Sequence, residues 1–256
     1  MADYNNIKTE RKDDVLYITL NRPPVNVLNI EMMGEINSAL NDVLNDAALK
    51  LVVFNAEGKA FSAGVEVGDH APDKVNAMIE QFDGMFKRLN ELEVPSLALV
   101  RGACLGGGCE LALFCDIIYA SEKSKFGQPE IKVGFFPPIA AFLLPRLAGR
   151  HVAMELMICG HTIDGATAMK LGLINRAVDD EKFDGECEKL IGGICENSPL
   201  IIRYNKRAIE DAFAGSFDEV LPKMDELFLN KLMKTRDCAE GLNAFLEKRR
   251  PKWENK

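Results

Sequence analysis

An α/β fold is predicted for this 256-residue chain by three features of its sequence. Short β-branched apolar runs alternate with segments of helical period up to residue 178, the pattern of parallel strands joined by crossover helices. Beyond Pro199 the strand signal stops and only helical segments follow. Between these regions, residues 103–130 (ACLGGGCELALFCDIIYASEKSKFGQPE) set three glycines before a helix and place two carboxylates nearby. Glycines let a ligand approach backbone amides closely. The first N–H groups of a helix lack internal partners and favour negative charge. These features divide the chain into an αβ core over residues 1–198 and a helical region over 199–256.

Residues 15–20 (VLYITL) read as a strand ending in the Asn21-Arg22-Pro23-Pro24 turn. Over residues 29–45, Met32, Met33, Ile36, Leu40, Val43 and Leu44 recur at helical spacing. Residues 51–55 (LVVFN) form a second strand, and residues 56–59 lead from it into the loop FSAGVEVGDH. Residues 75–92 are helical by period. Residues 96–100 form a third strand ending at Arg101-Gly102, and the glycines open directly after it. Residues 116–120 (DIIYA) are a buried type of strand. Helices are expected over 140–147, 151–158 and 165–171, with residues 173–178 closing the αβ part. The last helices are read over 201–214, 217–232 and 238–249.

The chain is 47% hydrophobic and 27% charged, enough apolar material for a sizeable core. A net charge of −8 argues against nucleic acid, whose binding needs clustered Lys and Arg. The seven cysteines are odd in number and lack metal-ligand spacing. Cys104, Cys109, Cys115 and Cys159 stand in apolar company and read as small buried hydrophobes, so reduced thiols and a cytoplasmic setting are expected, with no metal. Residues 1–14 have no apolar segment of the signal-peptide kind, and no run of about 18 apolar residues could span a bilayer.

Leu105 to Glu110 spells neither the GxGxxG dinucleotide pattern nor a phosphate loop. No serine sits in a G-x-S-x-G turn, and the three histidines do not suggest a triad. What the glycines offer is bare N–H groups that can stabilise an oxyanion formed from a thioester or ester carbonyl. Glu110 is the odd residue of an apolar helix, where a carboxylate is costly unless paired or functional. Read blandly, it compensates a helix dipole; Glu130 alone reads as a solvated loop carboxylate. Met154, Met157 and Met169 read as core.

The blocks at residues 61–65 (FSAGV), 101–116 (RGACLGGGCELALFCD), 126–134 (FGQPEIKVG), 166–175 (ATAMKLGLIN) and 240–248 (EGLNAFLEK) resemble the crotonase superfamily, in particular its enoyl-CoA hydratases. The resemblance covers essentially the whole chain. It implies a spiral of ββα turns with a C-terminal helical trimerisation region. It also implies an acyl-CoA thioester substrate, a homo-trimer or hexamer, and no cofactor beyond the coenzyme A of the substrate.

By position, the backbone N–H groups of Val65 and Gly107 resemble the family's oxyanion hole, with Ala63 and Gly106 as neighbouring substrate contacts. Glu110 and Glu130 match its two catalytic glutamates; Glu110 would activate water and Glu130 would deliver a proton to carbon. Residues 21–28 resemble the loop that holds the CoA adenine, with Val25 as a contact. Lys248 matches a lysine that reaches CoA phosphates from a neighbouring subunit.

Where the family reads P-G-A-G-G-T, this chain has Pro137-Pro138-Ile139-Ala140-Ala141. Pro138 has no N–H to give to a catalytic water, and Ile139 is expected to narrow the wall. With the residues 61–75, this loop looks most like the hydratases of cyclic dienoyl-CoA thioesters in anaerobic aromatic degradation. The alternatives are a general short-chain enoyl-CoA hydratase of β-oxidation, an enoyl-CoA isomerase, and a non-catalytic RNA-binding relative, which the acidic balance disfavours.

Overall fold

The computed structural model describes residues 3–256. Strands β1 (Ile7–Lys12) and β2 (Val15–Leu20) form an antiparallel hairpin and lead to helix α1 (Ile30–Asn41). The Asn29 side chain caps this helix by accepting the Met32 N–H at 3.0 Å. Next come β3 (Leu51–Ala56), β4 (Ala60–Ser62), a 3-10 turn (Val67–His70) and α2 (Val75–Glu91). The pattern repeats with β5 (Ser96–Val100), β6 (Ala103–Leu105) and α3 (Gly107–Phe114). It repeats again with β7 (Ile117–Ser121), β8 (Lys125–Gly127), a 3-10 turn (Glu130–Val133), and helices α4 (Pro138–Leu147) and α5 (Gly149–Cys159). Strand β9 (Thr162–Asp164), α6 (Gly165–Lys170), β10 (Arg176–Val178) and α7 (Phe183–Cys195) close this part.

The repeats build two sheets. One has the order β1-β2-β3-β5-β7-β10, parallel from β2 onward; the other has the order β4-β6-β8-β9. Each of the turns starting at β3, β5 and β7 gives its first strand to the large sheet and its second to the small one. This is the ββα spiral expected from the sequence. One face of the large sheet packs Ile18, Val52, Phe54 and Ala98 into a core shared with α1 and α2. The other face, with Val15, Val53 and Leu97, is covered by Leu190, Ile191 and Ile194 of α7.

The structure corrects several boundaries. Helix α1 ends at Asn41 rather than residue 45, and residues 42–45 continue as turns. Strands β1, β4, β6, β8 and β9 and helix α7 are additions to the sequence reading. The run at 217–232 is not one α-helix: α9 (Phe217–Asp225) passes into a π-helical stretch, Glu226–Lys231.

Helices α8 (Pro199–Ala212), α9 and α10 (Arg236–Leu246) form the tail. Lys206 of α8 is buried, with its Nζ 3.1 Å from both the Asp116 carboxylate and the Val94 carbonyl, which ties the tail to the core. Buried Asp237 accepts the N–H groups of Glu254 and Asn255 at 2.7 and 3.0 Å, folding the last residues back onto α10. Among the described residues no helix is long and apolar enough to cross a membrane.

Candidate active site

Strands β4 and β6 lie parallel and adjacent, so the loops after them leave the same edge of the small sheet. The first loop is held by a bridge to Leu28: the Leu28 N–H donates to the Gly64 carbonyl at 2.8 Å, and the Glu66 N–H donates to the Leu28 carbonyl at 2.9 Å. Val65 sits between these bonds, and its own N–H faces away from Leu28 because successive backbone groups alternate in direction. Gly107 is the first residue of α3, so its N–H has no partner within the helix. Neither N–H donates to an acceptor among the described residues. The two loops touch: a Cβ at Gly107 would lie 2.5 Å from Val65 Cγ2 and 3.0 Å from the Phe82 ring.

These loops start from different strands than the sequence suggests. The glycines follow β6, not the strand 96–100, and FSAGV spans the end of β4 rather than trailing the strand 51–55. Three-residue strands are too short to show a period, so the second sheet is invisible in the sequence.

Gly106 has a left-handed φ of 50°, and a Cβ there would stand 2.5 Å from Glu130 Oε1. The second carboxylate therefore lies directly over the glycine turn. Gln128, also buried, presents its amide nitrogen 3.3 Å from both Glu130 carboxylate oxygens in the orientation that satisfies both groups. Burial raises Glu130 to about 6. Glu110, in the first turn of α3, is only 2% exposed. Burial raises it to about 8, against the lowering effect of the Ala140 N–H, and the nearby Glu130 charge pushes the same way as burial. The Ala140 N–H donates to Glu110 Oε1 at 2.8 Å. Glu110 is thus the more basic of the two carboxyls, so a single proton shared by the pair favours Glu110.

The double proline has a different local effect from the one expected. Pro137 precedes helix α4 and Pro138 is its first residue, a position where no N–H is needed. The next free amides, those of Ile139 and Ala140, reach Glu110. Pro138 lines the cavity, but Ile139 does not; its side chain packs against the core, so it narrows no wall. Val25 also lies outside the lining, although its carbonyl accepts the Ala63 N–H at 2.9 Å. Lys248 is exposed at the end of α10 and does not line the cavity of this chain.

The structure brings Ala63, Val65, Gly106, Gly107, Glu110, Glu130 and Pro138 together around one cavity of about 630 Å³. Its remaining lining is mainly apolar. Val75, Met78, Ile79 and Phe82 come from α2, while His70 and Phe135 stack with centroids 4.6 Å apart. The sequence reading missed these residues. The four on α2 recur at i, i+3, i+4 and i+7, so the stripe was legible, but a stripe of this kind reads first as core. Among the described residues no group of three His, Cys, Asp or Glu side chains could hold a metal ion. The arrangement can bind an acyl carbonyl oxygen by two amides while a protonated and an ionised carboxyl move protons beside it.

Comparison with known proteins points the same way. The model of the family described as enoyl-CoA hydratase/isomerase matches residues 10–256. The cyclohexa-1,5-dienecarbonyl-CoA hydratase of Thauera aromatica is 36% identical over 253 residues, covering 96% of this chain and 95% of that protein. The crotonyl-CoA hydratase of Syntrophomonas wolfei is 33% identical over 255 residues, covering 96% and 97%. Among solved structures, an enoyl-CoA hydratase from Geobacillus kaustophilus superposes with a TM-score of 0.91 at 33% identity, covering all of both chains.

Proposed function

The chain belongs to the enoyl-CoA hydratase/isomerase family, and from that premise we propose that it hydrates a conjugated cyclic dienoyl-CoA. It is an enzyme of the hydro-lyase class. The substrate proposed is cyclohexa-1,5-diene-1-carbonyl-CoA, giving 6-hydroxycyclohex-1-ene-1-carbonyl-CoA. The observation that carries hydration is the pair Glu110 and Glu130 on one apolar cavity beside two amides that have no partner among the described residues. The similarity to the Thauera protein supports the cyclic substrate.

In this reading the thioester oxygen accepts the N–H groups of Val65 and Gly107. Those donors stabilise the negative charge that develops as water adds to the β-carbon. Glu110 takes a proton from the water, and Glu130 delivers one to the far end of the diene, so that one water is added in total. Hydration then starts from ionised Glu110 and protonated Glu130. The order of the two pKa values favours the opposite arrangement, which is the one a hydration turnover leaves behind and the one from which dehydration starts. An acyl group over Glu130 removes it from water and raises its pKa toward that of Glu110, which eases return of the proton.

No cofactor is invoked beyond the coenzyme A of the substrate. The loop carrying Val25 is proposed to hold the adenine, beside the Ala63 backbone it already binds. Residues 1–198 are proposed as the catalytic unit and 199–256 as the region where copies meet, in a trimer or hexamer. The support is a set of uncovered apolar side chains there, with Phe213 88% and Phe245 80% exposed. Lys248 would then reach a CoA phosphate of a neighbouring copy. A cytoplasmic setting with reduced thiols fits this reading.

A second reading, hydration of linear short-chain enoyl-CoA, is favoured by the similarity to the crotonyl-CoA hydratase. Steady-state comparison of the cyclic dienoyl-CoA with crotonyl-CoA decides between them. A large preference for crotonyl-CoA would overturn the first. Incorporation of solvent ¹⁸O into product separates either from double-bond migration.

A further inference from the structure

We propose that His70 is a specificity-determining residue: its imidazole, held flat on Phe135, is a planar wall against which a planar acyl ring packs. This rests on the reading of the cavity as an acyl-CoA site. The two rings are stacked at 4.6 Å with planes 27° apart, and both line the cavity. Offset stacking of this kind suits flat π-systems and offers little extra to a saturated or linear chain.

The imidazole is fixed in place. Its Nδ1 lies 3.1 Å from the Glu66 carbonyl, which can only accept, so Nδ1 carries the hydrogen. The turn bearing His70 is pinned from outside the cavity. The Asp69 carboxylate accepts the Ile30 N–H at 3.0 Å, and Glu66 pairs with Arg22 at 3.4 Å. Phe135 is fixed from the other side: Gly134 takes a left-handed φ of 85°, and the Phe135 N–H donates to the Glu130 carbonyl at 3.0 Å. The ring pair thus joins the turn Val67–His70 to the turn carrying Glu130. A substrate ring lying on it is held at a set height relative to that carboxylate.

The test measures kcat/KM of wild type, His70→Ala, His70→Phe and Phe135→Leu on three thioesters. These are the cyclic dienoyl-CoA, cinnamoyl-CoA as a second flat ring substrate, and crotonyl-CoA. His70→Ala and Phe135→Leu are expected to lower the ring-to-linear ratio of kcat/KM tenfold or more. His70→Phe, which restores a flat ring, is expected to keep the ratio within threefold of wild type. An equal fall on all three substrates, or an unchanged ratio in His70→Ala, overturns the proposal. If wild type prefers crotonyl-CoA to the cyclic diene, the proposed substrate fails, and the cinnamoyl-to-crotonyl ratio still decides the role of His70.

Discussion

The Ala140 N–H donates to Glu110 Oε1 at 2.8 Å, so a buried carboxyl group of α3 occupies the amino-terminal end of α4. Pro137 precedes α4 and Pro138 begins it, and the first amides the helix has to offer go to this side chain. The proline loop is therefore a holder for Glu110. The carboxyl is placed by a helix end while burial raises its pKa.

A bell-shaped dependence of kcat/KM on pH follows from the two glutamates. Below about 6 both carboxyls are protonated and no base remains; above about 8 both are ionised and no acid remains. The expected profile has limbs near 6 and 8, read from initial rates at constant ionic strength. A flat profile from pH 5 to 9 contradicts it.

Glu110→Gln is expected to lower turnover by ~10²–10⁴ and to raise stability at alkaline pH. The folded protein holds the Glu110 proton up to about 8, whereas the unfolded chain releases it near 4.5. Between these values the folded state binds more protons, so stability falls as pH rises, and above about 8 the whole penalty is present. The variant has no such penalty, and the gain at pH 9 is on the order of several kcal/mol. Denaturant melts of both proteins at pH 5 and pH 9 measure it; equal differences at the two pH values would contradict it.

Gly106→Ala is expected to cost about 1–2 kcal/mol of stability through its left-handed backbone alone. The added Cβ, 2.5 Å from Glu130 Oε1, also displaces that carboxylate. Turnover should therefore fall by roughly 10² or more, out of proportion to the loss in Tm. Kinetics and calorimetry on the same preparation separate the two effects.

Lys206→Ala should destabilise the protein by about 1–3 kcal/mol, discounted from a fully buried pair because Asp116 is partly exposed. The change leaves Asp116 and the Val94 carbonyl without their shared donor. Thermal unfolding reads the stability. The kcat of the folded variant on the preferred acyl-CoA should stay within about threefold, since Lys206 lies outside the cavity lining.

Legibility in the sequence depended on how local the signal was. Strand β5 was readable to the residue because its four apolar residues, Leu97 to Val100, lie between neighbouring strands on both sides. Strand β1 (IKTERK) escaped because it is an edge strand whose exposed face is charged. Helix α7 escaped because Gly185, Gly192 and Gly193 dilute its period. In the site, Glu110 was conspicuous as a carboxylate in an apolar helix. Glu130 was visible only through the resemblance of its block. His70 and Phe135 are 65 positions apart in sequence and become a pair only once the fold is closed. Ile139 was misplaced because a loop sequence does not say which side of a helix start a side chain will take.

The separation of the two sheets has a consequence for how the molecule comes apart. Strands β4, β6, β8 and β9 are three residues each, while the large sheet has strands of five and six residues through most of its width. Short ladders with few amide bonds belong to the low-stability end of a protein's opening spectrum. Amide hydrogen exchange should therefore find residues 60–65 and 103–107 opening as a sub-global unit while β2, β3 and β5 stay protected. On mild heating, catalysis would be lost reversibly before the circular dichroism of the large sheet and its helices changes.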